Sequence, residues 1–338
     1  MEKWYDKTAD NGDVVISTRI RFLRNTKGLP FEARMSSEQK TALNEMTAAA
    51  LREENSVNTK WSFLPMQELT AAERVSLAER NLVSRSFLEQ PTYKMLAISK
   101  DEALTVAVNG EDHIRIQALC GGMDLSKTYA AASRIDDILD ERLGYAFDER
   151  LGFLTASPAD LGTGMYVCIV MHLPALERSK IIPQLMQTVG RMGLAIRGSF
   201  GEGGSSAGAC YEVSNQVTLG LSEETAIKNL ENVAAQIIES ERALRKELLK
   251  NNIDIIDEIC RSYGILKYAR LLSSGEFYEQ ISNVRFGVAE RIISGVSLTS
   301  VNRLFHLIGA ATIQAEENQE LNPKERDHHR AKIVREAL

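Results

Sequence analysis

The chain has 338 residues, 44% hydrophobic and 25% charged, with a formal net charge of −6. That composition supports a sizeable core in one large domain or two ordinary ones, and it argues against a broad basic face for nucleic acid. Four cysteines, Cys120, Cys168, Cys210 and Cys260, stand far apart with no CxxC pair, so they read as reduced intracellular thiols.

In chain order, the opening Met1-Glu2-Lys3-Trp4-Tyr5-Asp6 lacks the apolar core of a signal peptide, and no later run reaches membrane-spanning length. A cytoplasmic protein is therefore expected. Residues 14–22 alternate Arg19 and Arg21 with apolar neighbours, the pattern of a strand with one packed and one charged face. The rest of the region to about residue 75 reads as mainly helical, with a capping box at Ser36 and Gln39 and Leu43, Met46, Ala50 and Leu51 near helical spacing. Short β-like runs follow at 93–99, 103–109, 113–119, 167–173, 194–197 and 213–219, separated by helical stretches at 127–143 and 176–192. Asn109-Gly110 between two of these runs predicts a tight hairpin. Beyond it, Glu111, His113, Arg115 and Gln117 alternate with Ile114 and Ile116 as a second charged row. No βαβ unit carries a dinucleotide-binding glycine fingerprint, so the expected class is α+β with an antiparallel sheet.

A long helix is expected from Ser222, with Ile227, Leu230, Ala234, Ile237, Ile238 and Leu244 along one side. Everything after it reads as helical, including an apolar stripe of Val301, Leu304, Phe305 and Ile308 and a charged last helix at 326–337 after Pro323. This tail of roughly ninety residues is long enough for a separate module, and a helical cap on the core accounts for it equally well.

Two loops are rich enough in glycine and polar groups to carry chemistry. Residues 155–164 read Thr-Ala-Ser-Pro-Ala-Asp-Leu-Gly-Thr-Gly, offering backbone N–H groups to an anion without the Lys-Ser/Thr of a P-loop. Residues 197–204 read Arg-Gly-Ser-Phe-Gly-Glu-Gly-Gly, which suits either a closing loop or a plain surface one. Two arginine-bearing strands beside these loops point to a phosphate site. Glu111 and Glu202 add two carboxylates able to clamp a cationic acceptor by paired hydrogen bonds, a geometry that suits a planar guanidinium.

Taken in order, Ser17-Thr18-Arg19-Ile20-Arg21, Asn109-Gly110-Glu111-Asp112-His113-Ile114-Arg115, 153–164 and 197–203 resemble the phosphagen (ATP:guanido) kinase superfamily, and within it the bacterial protein arginine kinases. Met171-His172-Leu173-Pro174, Ser214-Asn215-Gln216 and Arg326-Asp327-His328-His329-Arg330-Ala331 add to the likeness; the last matches an RDxxRA motif that small-metabolite guanidino kinases lack. The resemblance implies a small helical N-terminal region (1–75), an α+β phosphagen kinase/glutamine synthetase-like catalytic domain (76–245) and a helical C-terminal domain (246–338). It implies ATP-dependent phosphorylation of arginine side chains in proteins, with Mg²⁺ held mainly by nucleotide and water rather than by a protein metal site.

Carried over residue by residue, the nucleotide contacts fall on Ser17, Thr18, Arg19, Ile20, Arg21 and Arg115, on Tyr166, Val167, Cys168, Ile169 and Val170, and on Arg197, Gly198, Ser199, Phe200, Gly201 and Glu202. Glu111 and Glu202 would grip the acceptor guanidinium, one taking its proton, and Ser157 stands where the family has a reactive cysteine. Arg326, Asp327, His328, His329, Arg330 and Ala331 would form a phosphoarginine pocket. The implied partners are protein substrates with exposed arginines, an activator protein, a Clp-type protease or a stress repressor, and a second copy of the chain; no membrane or direct nucleic-acid contact is implied. Three positions depart from the family pattern: Gly110 for glutamate, Ser157 for cysteine and Tyr166 for arginine. They leave open a second reading, a weak or silent pseudokinase that binds phosphoarginine.

Overall fold

The computed structural model describes residues 2–53, 59–201, 204–250 and 252–338. The alternating segment forms β1 (Val15–Arg24), followed by α1 (Ser37–Glu53), β2 (Trp61–Pro65), α2 (Ala71–Glu79), β3 (Met95–Ser99), β4 (Leu104–Val108) and β5 (Ile114–Gly121). Next come α3 (Leu125–Leu143), the short pair β6 (Phe147–Asp148) and β7 (Gly152–Phe153), β8 (Met165–His172), α4 (Pro174–Arg178), α5 (Ile182–Gly190), β9 (Leu194–Phe200) and β10 (Ser206–Asn215). The tail holds α6 (Glu223–Leu249), α7 (Ile253–Tyr268), α8 (Ser274–Ala289), α9 (Leu298–Leu307), α10 (Ala310–Glu317) and α11 (Pro323–Ala337).

Eight strands make one antiparallel sheet in the order β2-β3-β4-β5-β1-β8-β10-β9. The first strand of the chain thus lies inside the sheet, between β5 and β8, so the two arginine-bearing strands are neighbours. One face is apolar. Ile20, Phe22, Ile114, Ile116, Val167 and Ile169 pack beneath α1, α3, α5 and α6, each such side chain stabilising the fold by roughly 1.5–3 kcal/mol. The other face is covered in two pieces. Trp4, Tyr5, Leu77 and Phe87 cover Leu96, Ile98 and Leu119, while Ile259, Phe277, Ile281 and Phe305 of the tail cover Ile16, Val170 and Cys210. Between those two clusters lies a polar strip.

Local signals set the helix ends. Ser36 and Gln39 form the expected reciprocal cap, with Ser36 N–H donating to Gln39 Oε1 (2.9 Å) and Gln39 N–H to Ser36 Oγ (3.3 Å). Ser222 Oγ accepts from Thr225 N–H at the start of α6. The stretch expected as one helix at 176–192 is two, α4 and α5, with Lys180 at φ 58 between them. Pro183 lacks the N–H a continuous helix would need, so the helix restarts with proline in its first turn. β10 begins at Ser206, ahead of the expected 213, because pairing with β9 imposes extended backbone on small residues that carry little strand preference of their own.

Buried arginines lock the tail to the core. Glu241 and Arg245 of α6 are fully buried and paired at 2.7 Å; Glu241 also accepts from the backbone of Ala175 and Leu176, and Arg245 donates to the carbonyl of His172. Arg285 of α8 donates to the carbonyls of Gly12 and Asp13 and to Asn302 Oδ1, all within 2.9 Å.

Candidate active site

Register on the polar strip follows from strand pairing. Arg21 of β1 lies opposite Gln117 of β5 and Tyr166 of β8, and Arg19 lies opposite Leu119 and Cys168. Further along, Glu212 of β10 lies opposite Arg197 of β9. Side chains directly opposite one another share a face, so all of these point to the same side of the sheet. Glu212 sits at the centre, with Oε2 2.7 Å from Arg19 Nη2 and Oε1 accepting the Tyr166 hydroxyl at 2.5 Å. Arg21 Nε donates to Gln117 Oε1 (2.6 Å), and its guanidinium lies 5.7 Å from the Tyr166 ring centroid.

Charges in this strip act on one another. Burial pushes the Glu212 carboxyl upward, but the guanidinium of Arg19, the Tyr166 hydroxyl and then Arg21 outweigh it and hold the pKa down at about 2. Arg19 keeps its charge because Glu212 more than offsets its burial. Arg115 is pushed down to about 10 by burial and by Arg19, and Arg21 is pushed down by burial, Arg115 and Arg19. Arg19 and Arg21 share Glu212, while Arg115 feels the charges of Asp112 and Asp160. Arg21 and Arg115 face a cleft of about 220 Å³, and no carboxylate among the described residues hydrogen-bonds either guanidinium. The open donors of these two guanidiniums fit a polyanion such as a nucleotide triphosphate.

The same cleft is lined by Glu111, Asp112, Asp160, Ser84, Ser86 and Phe87. Asp112 is buried and accepts from Asn25 Nδ2 (2.6 Å) and Ala156 N–H (2.7 Å), tying the end of β1 to the loop that carries Ser157. Ser157 follows directly, half-buried, ahead of a turn whose Asp160 N–H bonds the Ser157 carbonyl. His113 leaves the row expected for it. Its Nδ1 accepts from Thr26 N–H and its Nε2 donates to the Pro30 carbonyl, because 109–113 is a loop with Asn109 at φ 61 and strand alternation begins only at Ile114. Gly162 packs against 218–219. A Cβ there would meet the Thr218 carbonyl at 2.2 Å, so glycine is required for loop packing. At Gly110, where the family pattern has glutamate, a Cβ would meet Phe87 Cδ2 at 3.3 Å; the phenyl ring takes the space.

Of the expected nucleotide contacts, Ser17, Arg19, Arg21, Arg115, Tyr166, Cys168 and Arg197 share the polar strip, Arg197 being exposed. Thr18 is buried on the opposite face and donates to the Gly122 carbonyl, while Ile20, Val167 and Ile169 are core residues of that face. Val170 packs under the tail. Gly198 and Ser199 lie in β9, Gly201 just beyond it, and Phe200 turns its ring onto α8 and α9. Glu202 lies outside the described residues.

In the tail, Arg330 is buried. It donates to the carbonyls of Ile308 and Leu272 and to Asp327 Oδ1, whereas Arg326, half-buried, donates to the Leu321 carbonyl. His328 bonds the Arg270 carbonyl, His329 pairs with Glu317 and Ala331 is core. Sequence reasoning missed Glu212, Ser84, Ser86 and Phe87. Glu212 had a visible signal, a lone charge in an apolar run at the strand period from Ser214.

The family model for the ATP:guanido phosphotransferase C-terminal catalytic domain matches residues 42–244, and that for the protein-arginine kinase McsB C-terminal domain matches 252–338. The chain belongs to the ATP:guanido phosphotransferase family. It is 39% identical to the protein-arginine kinase of Symbiobacterium thermophilum, over 99% of this chain and 96% of that one. It is 38% identical to the protein-arginine kinase of Clostridium acetobutylicum, over the whole of both. In fold it resembles lombricine kinase (TM-score 0.62, 20% identity, 72% of this chain and 71% of that one) and the duplicated taurocyamine kinase of Schistosoma mansoni (TM-score 0.65, 24% identity, 75% and 38%). ATP with Mg²⁺ is accordingly the phosphoryl donor of this guanido phosphotransferase. Among the described residues no cluster of His, Cys, Asp and Glu is built to hold a metal ion.

Proposed function

We propose that this phosphotransferase moves the γ-phosphoryl group of ATP onto arginine side chains of proteins. The carrying observation is a pair of guanidiniums, Arg21 and Arg115, whose donors no carboxylate among the described residues binds and which face a cleft that also presents Glu111. Arg21, Arg115 and the exposed Arg197 bind the phosphates; Arg19 is held by Glu212 and orients the row. Mg²⁺, when bound with the nucleotide, neutralises charge on the transferring group. Glu111, with Glu202, grips the acceptor guanidinium and takes its proton as the nitrogen attacks the γ-phosphorus, the bond to the β,γ-bridging oxygen breaks and ADP leaves. An arginine side chain has a pKa above about 12, so proton removal accompanies attack. Full-length similarity to protein-arginine kinases supports a protein as acceptor. No observation favours the silent pseudokinase over this reading.

The same proposal divides the chain at 1–75, 76–245 and 246–338. It assigns phosphoarginine recognition to the outer side of α11 at Arg326 and Asp327, flanked by His328 and His329, with Arg330 as the buried strut. An activator, a Clp-type protease or stress repressor, a homodimer and a cytoplasmic setting belong to it on family resemblance. Among the described residues no helix is long and apolar enough to cross a membrane. Incubation with ATP, Mg²⁺ and casein, followed by mass spectrometry for acid-labile phosphoarginine, tests the activity; product on free arginine but not on casein would refute the protein acceptor.

A further inference from the structure

Gln117 of β5 is buried, lies on the same face as Arg115 and stands directly opposite Arg21. A side-chain amide accepts at its oxygen and donates at its nitrogen, and here both ends are engaged. Its Oε1 accepts from Arg21 Nε (2.6 Å), which fixes one edge of that guanidinium at the margin of the cleft. Its Nε2 donates to the carbonyls of Asn81 (2.9 Å) and Leu82 (3.3 Å), just beyond α2. Those two residues open the segment 81–87, which supplies Ser84, Ser86 and Phe87 to the cleft wall. Thr105 Oγ1 also donates to the Leu82 carbonyl (3.2 Å), and Lys94 Nζ holds the Phe87 carbonyl at the far end (3.2 Å). Phe87 packs on Gly110, the residue before Glu111, with its ring 3.3 Å from where a Cβ would stand. Behind the segment, Leu82, Phe87, Thr105 and Gln117 line a void of about 10 Å³. The wall is therefore pinned at points rather than close-packed along its length.

We infer that Gln117 is a positioning residue: it ties the Arg21 guanidinium to segment 81–87, so that filling the phosphate site sets the wall beside Glu111. Given Arg21 as a phosphate ligand, the reading on which this rests, an anion takes up Nη donors of a guanidinium whose Nε is already bonded. The amide passes that constraint to Asn81 and Leu82, because its oxygen and nitrogen belong to one rigid plane. Phe87 carries it on to Gly110 and so to the start of the chain bearing Glu111. Thr105 offers a built-in comparison. It bonds the same wall at Leu82 but has no hydrogen bond to Arg21 among the described residues, so cutting its tether loosens the wall and leaves the link intact.

The test follows backbone hydrogen exchange of 81–87 in the full chain, with and without Mg²⁺ and the β,γ-imido analogue of ATP, which is not turned over. Gln117→Leu, Gln117→Glu, Thr105→Val and Arg21→Ala are compared with the parent. In the parent the analogue should slow exchange in 81–87 about fivefold or more, the low end of an ordinary coupling between sites. At saturating analogue that slowing should vanish in Gln117→Leu and Gln117→Glu, both of which lose the amide donors to Asn81 and Leu82. Thr105→Val should exchange faster in 81–87, yet still be slowed by the analogue. Calorimetry should show affinity for the analogue falling about tenfold in Gln117→Leu, the worth of one hydrogen bond to a charged group. An Arg21→Ala variant that binds the analogue as tightly as the parent would remove Arg21 from the phosphate site, and the link with it. Where Arg21→Ala does weaken binding, slowing that persists in either Gln117 variant, is absent in the parent or disappears in Thr105→Val would overturn the role of Gln117 alone. Unfolding of both Gln117 variants would make Gln117 a packing residue and overturn it equally.

Discussion

Two sets of inward-facing arginines are told apart by their acceptors. Arg245, Arg285 and Arg330 in the tail are fully enclosed, and each donates to backbone carbonyls as well as to a side-chain oxygen of Glu241, Asn302 or Asp327. Arg21 and Arg115 on the strip are half-buried; Arg21 has one amide oxygen, and Arg115 has no acceptor among the described residues. A depressed pKa does not separate the sets, since Arg285 is pushed down to about 9 by burial and Arg245, close to Arg115 at about 10. Hydrogen-bond accounting does. A guanidinium bonded to three acceptors inside the fold is a strut, and one with donors aimed at an open cleft awaits an anion.

The sharpest way to break this contrast is Arg115→Ala. Turnover should fall roughly 1,000-fold or more, the scale of a lost transition-state arginine. The urea midpoint should hold or rise, because a like-charge neighbour of Arg19 and Arg21 is gone. A folded variant with parental activity would remove Arg115 from the phosphate site.

Arg285→Ala should do the reverse. It strands the carbonyls of Gly12 and Asp13 and the Asn302 amide oxygen, so urea unfolding should show a loss of about 3 kcal/mol. A stability unchanged within error would show that the enclosed set is not structural.

Acid titration probes the carboxylate that separates Arg19 from its neighbours. Glu212 is depressed in the folded protein from 4.5 to about 2, so its contribution is present above the unfolded value and is lost as pH falls from about 4.5 toward 2. The loss should approach about 3 kcal/mol, and Glu212→Gln should flatten that part of the stability–pH curve. An identical curve in the variant would mean that another carboxylate carries the effect.

The smallest effect is expected from Tyr166→Phe, which removes the hydroxyl bonded to Glu212 and leaves the ring beside Arg21. Thermal unfolding should report a loss of about 1 kcal/mol. The ATP KM should rise only a few-fold, since Arg21 and Arg115 remain. A larger KM change would make Tyr166 itself a nucleotide contact.

Much of the fold was legible because its signals are local. The alternation around Arg19 and Arg21, the cap at Ser36 and Gln39, the start of α6 after Ser222 and the last helix after Pro323 each arise from residues within a few positions of one another. The motifs that resemble the family likewise pointed to Arg21, Arg115 and Glu111, which line one cleft. His113 broke the expected row because a loop conformation, which residue types constrain weakly, shifted where alternation began.

By itself, then, the sequence determined the element types, the charged and apolar faces of the strands and the family. Tertiary structure alone decided that β1 lies between β5 and β8, that Glu212 meets Arg19 across 193 positions, that Phe87 fills the space at Gly110 and that Phe200 turns toward Phe305. Periodicity reports which face a side chain takes, because that depends on neighbours along the chain. Which partner it finds depends on how distant segments close together, and a guanidinium becomes strut or ligand-binder only once those acceptors are in place.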